Sequence, residues 1–184
     1  MNWKILSTEY LFQYPPYFVA RKDVCERPDG VLIPAYYVVE LPASVITFGI
    51  TDENQVLFTE QYRHPIGEMS LELPGGFIEK DEEPLLAAQR ETEEETGYQF
   101  SNYIYLGKVA GNPGILNNTT HLFVATGGKK VKEQQMDDQE DIAVTLLPFD
   151  KVIQLIENRK IIQSLHLNAC FYALLHLNEL KFSK

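Results

Sequence analysis

Residues 74–98 run PGGFIEKDEEPLLAAQRETEEETGY. Pro84 suits the first turn of a helix, where its missing N–H would be unbonded in any case, and Gly97 suits the position just past the end. That punctuation predicts a helix over 84–96. Its last turns hold Arg90, Glu91, Glu93, Glu94 and Glu95, and at 3.6 residues per turn Glu91, Glu94 and Glu95 share one face. Ahead of the helix, Pro74, Gly75 and Gly76 read as a turn that lets backbone come close to a ligand.

As pure structure this is a poor arrangement. Like charges three and four apart destabilise a helix, and acids near its C-terminus oppose the macrodipole. A cation offsets both penalties, and Mg²⁺ or Mn²⁺ would do so by taking carboxylate oxygens and bridging them to substrate phosphates. Ala87, one turn before Glu91, is expected to leave room above the cluster. The competing reading makes Glu93, Glu94 and Glu95 a solvated helix face, as most acidic runs are. The ordered unit of strand, Gly-Gly turn, Glu82, helix and Gly97 favours the site.

Outward from this stretch the chain reads as sheet. Residues 17–20 and 31–33 flank the turn sequence Arg27, Pro28, Asp29, Gly30, which predicts an N-terminal hairpin. A second hairpin joins 44–50 to 55–62 across 51–54, and 69–73 alternates as a short strand. Further strands are expected at 103–110, 119–126 and 141–147, with loops at 111–118 and 127–139. Residues 149–158 and 164–180 then read as helices. The last of these is apolar almost all round and is expected to pack on the sheet.

The 184 residues are enough for one good core, and 45% hydrophobic with 23% charged residues is ordinary for a folded domain. A formal charge of −10 argues against the phosphate contacts on which nucleic-acid polymers depend for affinity. Two cysteines, Cys25 and Cys170, lack the spacing of a zinc or redox motif. No apolar run near Met1 is long enough for a signal or membrane helix. A cytoplasmic enzyme with no membrane partner is the expectation.

The spacing Gly76, five residues, Glu82, seven residues, Arg90-Glu91-Thr92-Glu93-Glu94-Glu95-Thr96-Gly97-Tyr98 resembles the Nudix box at every fixed position. Thr92 and Tyr98 fill its aliphatic positions. The resemblance implies an α/β fold, an α/β/α sandwich with a mixed sheet over 41–184, carrying the hairpin of 1–40 as an extension. It also implies hydrolysis of a nucleoside diphosphate linked to another moiety. Carried onto matching positions, Glu91, Glu94 and Glu95 would hold metal with the Gly75 carbonyl, Glu82 would assist nearby, and Arg90 would orient the glutamates by pairing with Glu94. A metal-activated water would attack one phosphorus. Its proton needs a base, for which Glu140, then Asp138, in the acidic segment 137–141 are the candidates.

Residues 60–63 (EQYR) and 71–76 (LELPGG), with Pro113 fifteen residues beyond Tyr98, look like the ADP-ribose pyrophosphatase branch. Arg63, Glu72 and Pro113 are then candidates for substrate binding, Arg63 because a guanidinium fork suits phosphate oxygens. Asn117 and Asn118 stand where many ADP-ribose enzymes carry an acid, which leaves a GDP-sugar or another ADP-sugar open. A non-catalytic nucleotide-sugar sensor is disfavoured by the complete box, and an enzyme for oxidised nucleoside triphosphates by Pro113 and the N-terminal hairpin. His64 is a weak phosphate candidate; His121, His166 and His176 read as ordinary. The branch also implies a homodimer, for which Phe12, Tyr14, Tyr17, Phe18, Tyr36 and Tyr37 could supply the interface.

Overall fold

The computed structural model describes residues 2–136 and 141–180. It divides into two units, Met1–Ala43 with Ala110–Thr119, and Ser44–Val109 with Thr120–Lys184. The first unit is an antiparallel sheet of three strands, β1 (Lys4–Tyr14), β2 (Phe18–Glu26) and β3 (Leu32–Glu40). The expected hairpin is its β2–β3 half; β1 is an addition. The loop of the same unit joins β3 through a parallel bridge from Val39 to Leu116. Asn117 Oδ1 accepts the Leu41 N–H at 3.0 Å, and Asn118 Nδ2 donates to the Pro42 carbonyl at 3.0 Å. Both amides are thus occupied in fixing the loop that carries Pro113.

The second unit contains β4 (Ser44–Thr51), β5 (Gln55–Arg63), β6 (Glu68–Glu72), α1 (Pro84–Thr96), β7 (Tyr98–Gln99), β8 (Asn102–Val109), β9 (Thr120–Lys130), β10 (Ile142–Pro148), α2 (Phe149–Glu157) and α3 (Ser164–His176). Its sheet runs β10-β5-β4-β9-β7, with β6 on β5 and β8 on β9. β4 and β9 are parallel and the other pairs antiparallel, so the sheet is mixed. Strand alternation sorts the core into two faces. Ile46, Phe48, Val56, Phe58, Leu122 and Val124 pack with α2 and α3 through Val152, Ala169, Cys170, Ala173 and Leu174. Val45 and Phe123, of opposite parity, pack with Ala87 and Ala88 of α1. The result is the expected α/β/α sandwich.

Helix α1 has the predicted bounds. Pro84 opens it, and Gly97 closes it in the left-handed conformation (φ 74°), donating its N–H to the Glu93 carbonyl at 2.8 Å. Ala87 does not leave room above the carboxylates as expected; it is wholly buried against the sheet. Strand β9 runs on through Gly127 and Gly128, read from sequence as loop. Phe100 lies where a side chain at Gly128 or Gly49 would go, so these glycines make room for a ring inside a strand. Helix α3 ends at His176 rather than near 180, and it packs on one side while Phe171, Tyr172 and Leu175 stay exposed. Among the described residues no helix is long and apolar enough to cross a membrane.

A side chain at Gly97 would meet both a positive φ and the Lys132 carbonyl oxygen. Gly97→Ala is therefore expected to lower unfolding stability by more than the ~1 kcal/mol of an ordinary glycine replacement at positive φ, read as a reduced urea midpoint with unchanged slope.

Candidate active site

Residues 74–77 lie antiparallel to the start of β4. The Pro74 carbonyl accepts the Thr47 N–H and the Gly76 carbonyl accepts the Val45 N–H, both at 2.9 Å, and Phe77 bridges to Ser44. Alternate residues of an extended chain turn their backbone groups to opposite sides, so Gly75 presents its N–H and C=O away from β4. The N–H goes to Glu95 Oε2 at 2.9 Å. A Cβ on Gly75 would strike the Val45 carbonyl oxygen, and one on Gly76 the Glu91 carboxylate. The room near the carboxylates comes from Gly76.

Arg90 organises the acids. Its Nε and Nη2 bind the two oxygens of Glu82, each at 2.9 Å; Nη1 reaches Glu91 Oε1 at 2.9 Å and Glu94 Oε2 at 3.2 Å; Nη2 also donates to the Phe77 carbonyl at 3.0 Å. Five bonds use the five N–H groups of the fork. The main partner is thus Glu82 rather than Glu94, the pair expected from the box. Hydrogen bonding to Glu82 raises the Arg90 pKa against the opposing effect of burial, with Glu91 and Glu94 adding to it. Glu82 is held below the usual carboxylate range by Arg90, with burial opposing and the Glu79 N–H assisting. Expected to assist near the metals, Glu82 has both oxygens on Arg90, which fits an orienting part.

The C-terminal end of α1 is satisfied from within the chain. Gln135 N–H donates to the Glu94 carbonyl at 2.8 Å, and Val131 N–H to the Gly97 carbonyl at 2.8 Å. Gln134 Nε2 bridges the Glu95 and Ile142 carbonyls at 2.7 and 2.9 Å. Lys132 pairs with Glu93 at 2.7 Å, so Glu93 is drawn away from the face shared by Glu91, Glu94 and Glu95. The residues proposed as base, Glu140 and Asp138, lie outside the described residues.

Beside this network Arg63 grips Glu72 with two bonds, Nε to Oε1 at 2.9 Å and Nη2 to Oε2 at 2.6 Å. Glu72 is 1% exposed. Expected to meet substrate, it instead has its oxygens on Arg63 and on His166 Nε2 at 3.1 Å, so its available task is to hold Arg63. Burial works to raise the Glu72 pKa, and the hydrogen bonds and charges of its partners more than cancel this, holding the carboxyl well below the usual range. The Arg63 pKa is raised chiefly by the Glu72 hydrogen bond, against burial, and the Glu95 charge contributes too. That influence ties the pair to the acids of α1.

Gly75, Glu82, Arg90, Glu91, Glu94 and Glu95 therefore form one constellation with Arg63 and Glu72 next to it, whereas Pro113 belongs to the first unit. Five carboxylates face two guanidinium groups, a formal excess of three negative charges. Among the described residues no three acidic or histidine side chains already converge on a point. The donor set is nonetheless all oxygen, including the carbonyl of Gly75, and suits a hard divalent cation. His166, Lys132 and Gln134 were not singled out from sequence. Only His166 left a signal there, as a polar residue inside an apolar helix.

A family model described as NUDIX domain matches residues 40–165. A second, described as nucleoside diphosphate sugar hydrolase N-terminal domain, matches residues 3–39. Over 162 residues the chain is 35% identical to a methanol dehydrogenase activator of Bacillus methanolicus, covering 88% of this chain and 86% of that protein. It is 30% identical over 159 residues to an ADP-ribose pyrophosphatase of Bacillus subtilis (strain 168), covering 86% and 85%. A solved structure of an ADP compounds hydrolase superposes with a TM-score of 0.83 at 20% identity, covering 97% of this chain and 96% of that one, a likeness of fold.

The Glu72 pair has a pH signature. With a folded pKa below the ordinary 4.5, its contribution to stability is complete above that value and is lost as pH falls towards the folded pKa. Glu72→Gln is expected to cost about 2 kcal/mol at neutral pH, less than for a fully buried pair because Arg63 is partly exposed. It should also flatten the acid limb of the stability curve, measured by urea unfolding from pH 7 down to pH 3.

Proposed function

The chain belongs to the Nudix hydrolase family, and from that membership we propose that it cleaves the diphosphate linkage of a nucleotide sugar, with ADP-ribose and water giving AMP and ribose 5-phosphate. The observation that carries this is the Arg90-centred array of carboxylates against the Gly75–Gly76 backbone, with the cationic fork of Arg63 beside it. The match of residues 3–39 to a nucleotide-sugar hydrolase N-terminal domain supports a sugar-linked diphosphate over a nucleoside triphosphate.

In this reading Glu91, Glu94, Glu95 and the Gly75 carbonyl hold Mg²⁺, or Mn²⁺ in its place. The cation supplies charge neutralisation at the diphosphate oxygens and eases ionisation of the attacking water. Arg90 keeps Glu91 and Glu94 from rotating away. Arg63, anchored by Glu72 on one edge, turns its remaining N–H groups to the diphosphate. The proton of the water passes to Glu140, with Asp138 as second candidate. A cytoplasmic setting, with Cys25 and Cys170 as free thiols, belongs to the same reading.

The first unit supports a homodimer. Every residue of β1 is exposed, and Trp3, Tyr10, Phe12, Tyr14, Tyr17 and Tyr37 are each about half accessible. A three-stranded sheet with so much aromatic surface calls for a cover, and a second copy supplies one. Light scattering should then give twice the 21.1 kDa chain mass, and Tyr10→Ser with Phe12→Ser should shift it towards the monomer. A single-chain mass for the unaltered protein would overturn the dimer.

Turnover of ADP-ribose, GDP-mannose and nucleoside triphosphates compared in one Mg²⁺ assay tests the substrate. ADP-ribose is expected to lead, with AMP and ribose 5-phosphate as products; failure to cleave any nucleotide sugar sinks the proposal. Glu94→Gln is expected to lower kcat by about 100-fold or more with an unchanged melting temperature, because the Glu94 side chain is 42% exposed.

A further inference from the structure

One buried histidine is left unused by this chemistry. His166 lies in the first turn of α3 and is 4% exposed. Its two ring nitrogens bind the last residue of β6, Glu72, and the residue that follows it, Leu73. Nδ1 accepts the Leu73 N–H at 3.0 Å, and Nε2 lies 3.1 Å from Glu72 Oε2. A ring nitrogen that accepts a backbone N–H carries no proton, so the hydrogen sits on Nε2 and is donated to Glu72.

Glu72 therefore accepts three N–H bonds, two from Arg63 on β5 and one from His166 on α3. Oε2 is held from two sides, which removes the rotation about the carboxylate axis that the Arg63 fork alone would follow. Among the described residues, the side-chain bonds of Arg63 are those to Glu72. Whatever fixes Glu72 thus fixes where the guanidinium points. The second ring nitrogen pins the Leu73 amide, two residues before the Gly75 N–H that binds Glu95. A histidine that served packing alone would not need both nitrogens directed at this strand end.

We propose that His166 is a positioning residue for diphosphate binding, fixing the Glu72 carboxylate so that Glu72 presents the Arg63 guanidinium to the substrate. This rests on the reading of the protein as a nucleotide-sugar diphosphatase. Two substitutions separate the relay from mere support of the fold. His166→Gln keeps a donor in reach of Glu72, whereas His166→Asn keeps an acceptor for Leu73 and loses the donor to Glu72. With ADP-ribose, Asn is expected to raise KM roughly 10-fold with kcat little changed, and Gln to stay within roughly 3-fold of the unaltered enzyme on both. In an Arg63→Ala background the Asn effect should vanish.

A substrate-free readout keeps the two readings apart. In ¹⁵N spectra the unaltered protein should show His166 with a bare Nδ1 and a protonated Nε2, and a slowly exchanging Arg63 Nε–H signal that survives in His166→Gln and is lost in His166→Asn. Equal behaviour of the two variants, or an undiminished Asn effect without Arg63, overturns the relay. Intact spectra with no turnover of any nucleotide sugar would overturn the functional reading and leave the relay standing.

Discussion

The backbone at residues 72–76 has no space for side chains at its two glycines, and four elements are registered against it. β4 takes the Pro74 and Gly76 carbonyls, α1 takes the Gly75 N–H through Glu95, α3 takes the Leu73 N–H through His166, and β5 takes Glu72 through Arg63. A Cβ at Gly75 would push this run off β4, and one at Gly76 would displace Glu91. Either shift moves carboxylates whose use depends on placement to a fraction of an ångström. The close approach is thus the condition under which the acids of α1, the Gly75 carbonyl and the Arg63 fork can share one site.

Charge works within that frame. An acidic last turn on a helix is unfavourable on its own, and the chain offsets much of it internally: Arg90 binds Glu91 and Glu94, Lys132 binds Glu93, the Gly75 N–H binds Glu95, and residues 131–135 cap the orphan carbonyls. The helix can therefore form before any cation arrives. What remains is a formal excess of negative charge confined to one side of α1, beside an arginine that points the other way in sign. A divalent ion and an anionic diphosphate are complementary to those two neighbours in turn.

Local rules were enough for whatever is decided locally. Helix α1 could be bounded to the residue because Pro84 and Gly97 act within one turn, and the β4–β5 connection because 51–54 is a turn by composition. Strand β1 is exposed along its whole length, so the alternation of Leu6, Tyr10, Phe12 and Tyr14 with Ser7, Glu9 and Gln13 marks no buried face of the core. The extension of β9 was hidden for a different reason: Gly127 and Gly128 read as a break, but Gly128 is small because Phe100 occupies the space above it.

The same distinction explains the site. Box spacing fixes which acids share a face of α1, because helical geometry repeats every 3.6 residues. It does not fix which acid an arginine prefers, and Arg90 turned to Glu82 across the turn at 79–82 because that carboxylate offers both oxygens side by side to the guanidinium fork. Glu72 and His166 lie further from any local rule. They meet across 94 positions of sequence, through an α3 whose own composition argues only for burial. Contacts of that kind are set by how the sheet brings β6 under α3, and a side chain's part in them becomes visible only once the fold has placed both ends.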